Sequence, residues 1–335
     1  MQDLFNYFLR LKVKIALHFY FFKINVTGKD YIPKGKAVLV VSNHQNALID
    51  PILIATHTRL NPYFLTRASV FKKSIIAKML DFIRMIPIYR VRDGINNMEK
   101  NKETFDKSTH VLLNKGAMVI FGEGNHSIHR NLRPLRKGFA RIAYQALEKD
   151  PDLELVILPV GINYSNHQKS GSKVHIIFGP TIDPKNHYPN FDSLIKDTQQ
   201  SLKPLVSHIP EEGYHEKLEE LVENRIDLTA PEKVANFFNN SENKKSKKFS
   251  SPPYFTNKVM KLFHFPVFLN WLFVAPKVKD PAFTATFKFV IGLVTVPLWY
   301  IFLLLGQPIH GQASWALSFT FLGFIFLLAN RSGQA

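Results

Sequence analysis

The chain has 335 residues, 46% of them hydrophobic, a formal net charge of +17 and no cysteine. That length suits one large domain with appendages, and the missing cysteine excludes a thiol nucleophile, a disulfide framework and thiolate metal sites. No Asp, Glu, Lys or Arg occurs from Phe289 to Asn330, so a basic body with an uncharged end points to an anionic lipid surface and away from nucleic acid.

At the N-terminus, Leu4, Phe8, Leu11, Ile15, Phe19 and Phe22 recur at helical spacing, with Arg10, Lys12 and Lys14 among them. Lysines interrupt the apolar stretch and no small-residue cleavage site follows, so it is not a cleavable signal peptide. Residues 1–24 read as an amphipathic, basic helix at a membrane interface; a helix packed on the core is the other reading. A turn is expected over 25–36, where Pro33 and Gly35 stand.

Strands and helices then alternate. Ala37–Ser42 reads as a buried strand, 51–58 as a short helix and 63–66 as a strand. The stretch 73–84 is expected helical, 86–89 extended and 98–114 a polar helix ended by Gly116. Ala117–Phe121 is a second apolar strand, Gly138–Lys149 a helix, and 153–160 and 174–178 two further strands. The rhythm predicts an α/β fold with a mostly parallel sheet flanked by helices. Sites in such folds gather beyond the carboxyl ends of the strands, which is where Ser42-Asn43-His44 and Phe121-Gly122-Glu123 fall.

Residues 194–229 read as charged helices, closing a domain over 25–230. The segment 231–280 reads as a basic linker, on the strength of Lys-Lys-Ser-Lys-Lys and Ser-Ser-Pro-Pro within 239–253. Beyond it, 289–305 and 313–329 are uncharged segments of about 17 residues, the short limit for crossing a bilayer. Lys277, Lys279 and Lys288 precede them and Arg331 follows. The pattern predicts a membrane hairpin over 281–335 with both ends cytoplasmic; a re-entrant or interfacial hairpin is the alternative.

Two constellations carry chemistry. His44 follows the buried strand, and Asp50 follows it by six positions. A histidine oriented by a carboxylate can take the proton of an alcohol attacking a carbonyl. On a continuous helix the two would lie about 120° apart, so they meet only if 45–49 form a loop. Asp50-Pro51 also reads as a helix N-cap and first turn. Ser165-Asn166-His167-Gln168 repeats Ser42–Gln45 without a following Asp, so the tetrapeptide alone signifies little.

The second constellation runs Phe121-Gly122-Glu123-Gly124-Asn125-His126-Ser127, followed by Arg130, Arg133, Arg136 and Lys137. Its glycines let backbone approach a ligand, and its cations suit a phosphate; a basic loop facing anionic lipid is the other reading. Arg90 and Arg92 form a third anion candidate. No metal-binding His pair or nucleotide-binding glycine motif is present.

In these blocks the chain resembles the glycerolipid acyltransferases of the 1-acylglycerol-3-phosphate and glycerol-3-phosphate type. Asn43-His44…Asp50 resembles that family's first motif, and Ile86-Pro87-Ile88-Tyr89-Arg90 the second. Phe121-Gly122-Glu123-Gly124 with Leu135-Arg136-Lys137-Gly138 is similar to the third, and Leu158-Pro159-Val160 to the fourth. Three departures stand out. Five residues separate His44 from Asp50 where four are usual; Gly122 replaces a proline; and Asn125-His126 replaces Thr-Arg.

The resemblance implies a membrane-bound enzyme moving an acyl group from acyl-CoA or acyl carrier protein to a lysophospholipid, with His44 as base and Asp50 orienting it. It implies Arg90, Glu123, Gly124 and Lys137 at the acceptor head group, with Arg130 or Arg133 in place of the missing arginine. The donor is a substrate, and no cofactor or metal is expected. Partners would be membrane lipids, with the catalytic domain on the cytoplasmic face. Glycerol-3-phosphate or a lyso-aminolipid remains open as acceptor, and so does a non-catalytic lipid-binding scaffold.

Overall fold

A computed structural model of the chain describes residues 1–89, 99, 101–239, 259, 261–305, 318–323 and 325. Seven strands form one sheet: β1 (Lys23–Thr27), β2 (Ala37–Ser42), β3 (Tyr63–Arg67), β4 (Met85–Ile88), β5 (Ala117–Phe121), β6 (Leu155–Tyr164) and β7 (Lys173–Phe178). Their order is β1-β7-β6-β2-β5-β3-β4. Neighbours pair in parallel except β6 and β7, which are antiparallel. The sheet is therefore mixed but mostly parallel, with helices on both faces.

Alternation along β2 explains the two layers. Ala37, Leu39 and Val41 face one core, while Val38 and Val40 face another. All six β2 residues are buried, as a central parallel strand covered on both sides must be. The first core holds α4 (Asn101–Leu113), α5 (Gly138–Lys149) and α6 (Phe191–Leu202). The second holds α1 (Gln2–Tyr20) and α2 (Ile49–His57). A short helix, α3 (Ser74–Phe82), precedes β4, and α7 (Tyr214–Glu223) follows α6.

This layering positions the site. The connection after β2 enters α2 on one face, and that after β5 enters α5 on the other. Adjacent parallel strands whose connections leave toward opposite faces open a crevice at their carboxyl ends. His44 and Glu123 flank that crevice.

Several expectations shift in detail. Residues 23–27, partly assigned to a turn, form β1, an edge strand whose register is supplied by β7 (Ile24 beside Val174, Val26 beside Ile176). Five half-polar residues carry too weak a pattern to announce a strand without that partner. The turn proper begins at Gly28, whose φ is 73° and whose position admits no side chain: a Cβ would lie 2.0 Å from the Phe178 carbonyl oxygen. The strand expected over 153–160 runs on to Tyr164, which brings that tyrosine into the site.

On α1, the apolar stripe of Leu4, Phe8, Leu11 and Ile15 is exposed, and Leu17 is the apolar residue that enters the core. The helix thus enters the core through its last turns, is tied by its first turns to the end of α3, where the buried Asn6 donates to the Phe82 carbonyl, and turns its greasy stripe outward. Within the stretch read as a linker, α8 (Pro231–Asn239) and α9 (Phe265–Val274) are helices; Val234 of α8 closes a small cluster with Ile209, Tyr214 and Leu221, contacts that a composition reading cannot see.

The first uncharged segment lies in α10 (Thr284–Leu305). Pro281–Leu305 is the one stretch among the described residues long and apolar enough to cross a membrane, with mean hydropathy 2.1 over its best window. Ala285 and Phe289 belong to the second core, so this helix rises directly from the α/β domain. The second uncharged segment, 313–329, lies largely outside the described residues, although 318–323 is helical.

Replacing Gly28 with Ala should lower stability by about 2 kcal/mol or more, because the backbone is left-handed and the space is filled by backbone. The shift of the denaturant midpoint measures it.

Candidate active site

Asp50 organises the loop. Helix α2 begins at Ile49, two residues earlier than the Asp-Pro pair suggests. Asp50 therefore does not cap the helix; its side chain reaches back into the preceding turn. Oδ2 accepts the amides of Gln45 at 2.8 Å and Asn46 at 2.7 Å, and the Nδ1 hydrogen of His44 at 2.8 Å. Oδ1 accepts the hydroxyl of Tyr164. The carboxylate is 0% exposed, and four donors meet the requirement that a buried charge be fully hydrogen-bonded. Residues 45–48 form the turn that the spacing required.

His44 is fixed on its other sides as well. Its ring stacks on Phe121 at 3.9 Å between centroids with planes 13° apart, and its carbonyl accepts the Ser127 amide at 2.9 Å. Because Oδ2 already takes two amide hydrogens, Nδ1 is assigned as the protonated nitrogen. Nε2 then carries the lone pair, on a side chain that is 13% exposed. Burial pushes the imidazole below its ordinary pKa, overriding the opposing pull of Asp50. The ring is neutral near pH 7, the form a general base needs.

Asn43, the neighbouring motif residue, is a clamp. Its Nδ2 donates to the Ile162 carbonyl at 3.0 Å and its Oδ1 accepts the Ile162 amide at 2.8 Å. It thus locks the end of β2 to β6 just where their ladder opens.

Across the crevice, Glu123 is buried and paired with Arg133, whose guanidinium also meets Asn125. Burial raises the Glu123 pKa, against the pull of Arg133. Gly122 has no room for a side chain, since a Cβ would lie 2.8 Å from Leu135 Cδ2. Gly124 sits exposed at φ 81°, turning the loop.

Arg130 folds inward: it is buried, donates to the Ser165 carbonyl at 2.8 Å and bonds His167 Nδ1 at 3.2 Å. His167 in turn offers its carbonyl to Asn46 Nδ2 at 2.7 Å. The second Ser-Asn-His-Gln stretch therefore holds the buried arginine and, through the His167 carbonyl, the residue that follows the first stretch, a juxtaposition invisible in sequence. Lys137, by contrast, is at the exposed N-cap of α5, where Nζ pairs with Asp192 at 3.1 Å. Arg90 and Arg92 lie outside the described residues.

The resemblance left His126 as an unexplained departure. The structure gives it partners: Nε2 meets Asp280 Oδ2 at 2.7 Å, and its ring stands edge-on to His44 at 5.7 Å and to Phe283 at 5.4 Å. Asp280 caps the turn leading into α10 by accepting the Ala282 amide. Burial opposes it, but the His126 and Ala282 bonds hold this carboxyl below its ordinary pKa. The Leu48 amide also reaches Thr286 Oγ1 at 3.2 Å, so the apolar helix is fastened to both loops of the site. Tyr164, Thr286 and Asp280 escaped the sequence reading because each acts through a contact across more than 100 residues. Among the described residues, no group of three or more His, Asp or Glu side chains is placed to hold a metal.

Residues 23–163 match the family model described as Acyltransferase. The chain is 32% identical over 106 residues to glycerol-3-phosphate O-acyltransferase 2 of Saccharomyces cerevisiae, covering 32% of this chain but only 14% of that protein. It is 24% identical over 191 residues to a probable 1-acyl-sn-glycerol-3-phosphate acyltransferase of Mycoplasma pneumoniae, covering 52% of this chain and 67% of that one. The crystal structure of the 1-acyl-sn-glycerophosphate acyltransferase PlsC from Thermotoga maritima aligns with TM-score 0.48 and 20% identity, over 60% of this chain and 78% of that one. The matched family segment contains His44, Asp50 and Glu123, and stops one residue short of Tyr164.

Two outcomes test this account. Tyr164→Phe removes one donor from a buried carboxylate and should cost about 1.5–3 kcal/mol of stability, read from the urea midpoint. The second outcome concerns pH. Burial holds His57 at about 4 and holds His167, repelled also by Arg130, at about 3. Unfolded histidine titrates near ~6.5, so the unfolded chain binds these protons first. Stability is complete above ~6.5 and is lost as pH falls toward 4. The Tm should drop between pH 7 and 5; a flat Tm across that interval would contradict the burial of these rings.

Proposed function

We propose, from the match of residues 23–163 to the acyltransferase model, that the chain transfers a fatty acyl group from an acyl thioester to the hydroxyl of 1-acylglycerol-3-phosphate at a membrane surface. The product is phosphatidic acid, and the donor is acyl-CoA or acyl carrier protein. The observation that carries the reading is the His44–Asp50 pair, with Asp50 held by three further donors.

In this mechanism His44 Nε2 takes the proton of the acceptor hydroxyl as its oxygen attacks the thioester carbonyl carbon. The new C–O bond forms, the tetrahedral intermediate collapses, the C–S bond breaks, and the imidazolium returns the proton to the departing thiolate. Asp50 keeps the ring in its Nδ1–H tautomer and stabilises the transient imidazolium. No covalent enzyme intermediate is needed. The Glu123–Arg133 pair and the turn at Gly124 shape the wall opposite His44. The exposed Arg136 and Lys137 are the cations of this loop left facing solvent, and they, with Arg90, are the candidates for meeting the phosphate. Arg130 supports the loop from within.

Membrane association rests on the outward apolar face of α1 and on α10. At about 1.5 Å per residue, 25 residues give roughly 37 Å, enough for a hydrocarbon core of about 30 Å. Lys277 and Lys279 precede the helix and favour a cytoplasmic domain. The domain limits that follow are 1–24 for the interface helix, 25–230 for the acyltransferase domain, 231–280 for the connecting segment and 281–335 for the membrane segment. Glycerol-3-phosphate is the second acceptor to consider, because the yeast relative is named for it.

The test is acyl transfer by the purified chain from a labelled thioester to lysophosphatidate, glycerol-3-phosphate and lyso-aminolipids in parallel. His44→Ala should lower turnover by about 10²–10⁴-fold. Undiminished transfer would remove His44 as the base, and lipid binding without turnover in either protein would indicate a scaffold. Because His44 is shifted down, kcat/KM should hold through ~6.5 and fall only at lower pH.

A further inference from the structure

Helices α1, α9 and α10 enclose a cavity of about 640 Å³ that takes no part in the mechanism above. The volume lies within the range of roughly 300–1,000 Å³ found for sites that engulf a small molecule. Its walls are apolar and aromatic, with Phe19 and Tyr20 from α1, Phe268 and Trp271 from α9, and Phe289 and Tyr300 from α10. Along α10 the lining runs from residue 288 to residue 300, about 18 Å at the helical rise. The shape is that of a slot for an extended chain.

The charge in the lining is of one sign. Lys12, Lys261 and Lys288 contribute to it, and no Asp or Glu does. Lys288 is partly buried, placed 5.0 Å from the Trp271 ring and bonded to the Gln168 carbonyl at 3.0 Å, next to the Ser170-Gly171 turn. An ammonium group in an apolar slot without a carboxylate partner calls for an anion. Gly292 marks the middle of the slot, where an added Cβ would meet nothing within 4 Å. On either side, Ile15 of α1 and Leu269 and Leu272 of α9 are exposed, so the slot opens between two surfaces fitted to lipid.

We propose that this cavity is a binding site for an anionic glycerolipid, with one acyl chain lying along α10 past Gly292 and the phosphate beside Lys288 and Ser170. The site is separate from the His44 crevice and does not rest on the acyl-transfer reading. A bound lipid would fill the gap between α1 and the α9–α10 pair and so join the interface helix to the apolar helix.

Trp271 is a built-in reporter. The full chain in detergent is titrated with phosphatidate carrying brominated acyl chains and, in parallel, with phosphatidylcholine carrying the same chains. Phosphatidate should quench tryptophan emission saturably, at a concentration about tenfold or more below that of phosphatidylcholine, and Trp271→Phe should remove that saturable component. Lys288→Gln should erase the difference between the two lipids. Gly292→Leu should abolish the saturable quenching by filling the slot while leaving the Tm equal or higher, and Val296→Phe on the same wall is a second block. Equal quenching by both lipids would overturn the anion assignment. Saturable quenching that persists in Gly292→Leu and Val296→Phe, or none in the parent chain, would overturn the site. Because the readout is occupancy, failure here is distinct from failure of the transfer assay.

Discussion

A carboxylate without solvent contact must be satisfied by protein alone, and Asp50 is satisfied from two distant parts of the chain at once. Two loop amides, one imidazole and one tyrosine hydroxyl converge on it. That requirement sets the path of 45–48, the start of α2, the tautomer of His44 and the length of β6, which must extend to Tyr164. Removing any donor leaves a buried charge short of partners, so loop, helix and strand are mutually dependent. The unusual spacing of five residues between His44 and Asp50 is accommodated here: the extra residue belongs to the turn whose amides face the carboxylate.

The sheet decides why these groups meet at all. β2 and β5 are neighbours, yet their outgoing connections leave toward opposite faces, and the gap between them is the one place where loops from both can share a wall. Phe121 brings its ring under His44, and Gly122 keeps that wall thin by yielding its space to Leu135. The cations of the following loop divide into two kinds. Arg130 and Arg133 are drawn inward by Ser165, His167, Glu123 and Asn125, while Arg136 and Lys137 remain in solvent.

The apolar helix is built into the domain as well as projecting from it. Asp280 holds His126, Thr286 holds the Leu48 amide, and Ala285 and Phe289 sit in the second core. A loop that meets His44 is thereby fastened to the segment long enough to cross a bilayer. His126, which breaks the family pattern, is the residue that makes this fastening; its imidazole bonds a carboxylate where an arginine would carry a fixed charge.

The sequence by itself determined the buried strands, the helix between Gly138 and Lys149, the acyltransferase motifs and the uncharged end, because each is written in local periodicity or in residues close together along the chain. It also marked His44 and Asp50 as a candidate pair, since a strand end and a six-residue offset are local features. What only the tertiary structure decided depends on distance along the chain. β1 needed β7 to become a strand; Tyr164 needed β6 to run four residues further; Arg130 needed His167 to be drawn inward; His126 needed Asp280. A short polar strand, a tyrosine or a histidine has the same local signature whether or not a partner more than a hundred residues away completes it, and only the packed sheet supplies that partner.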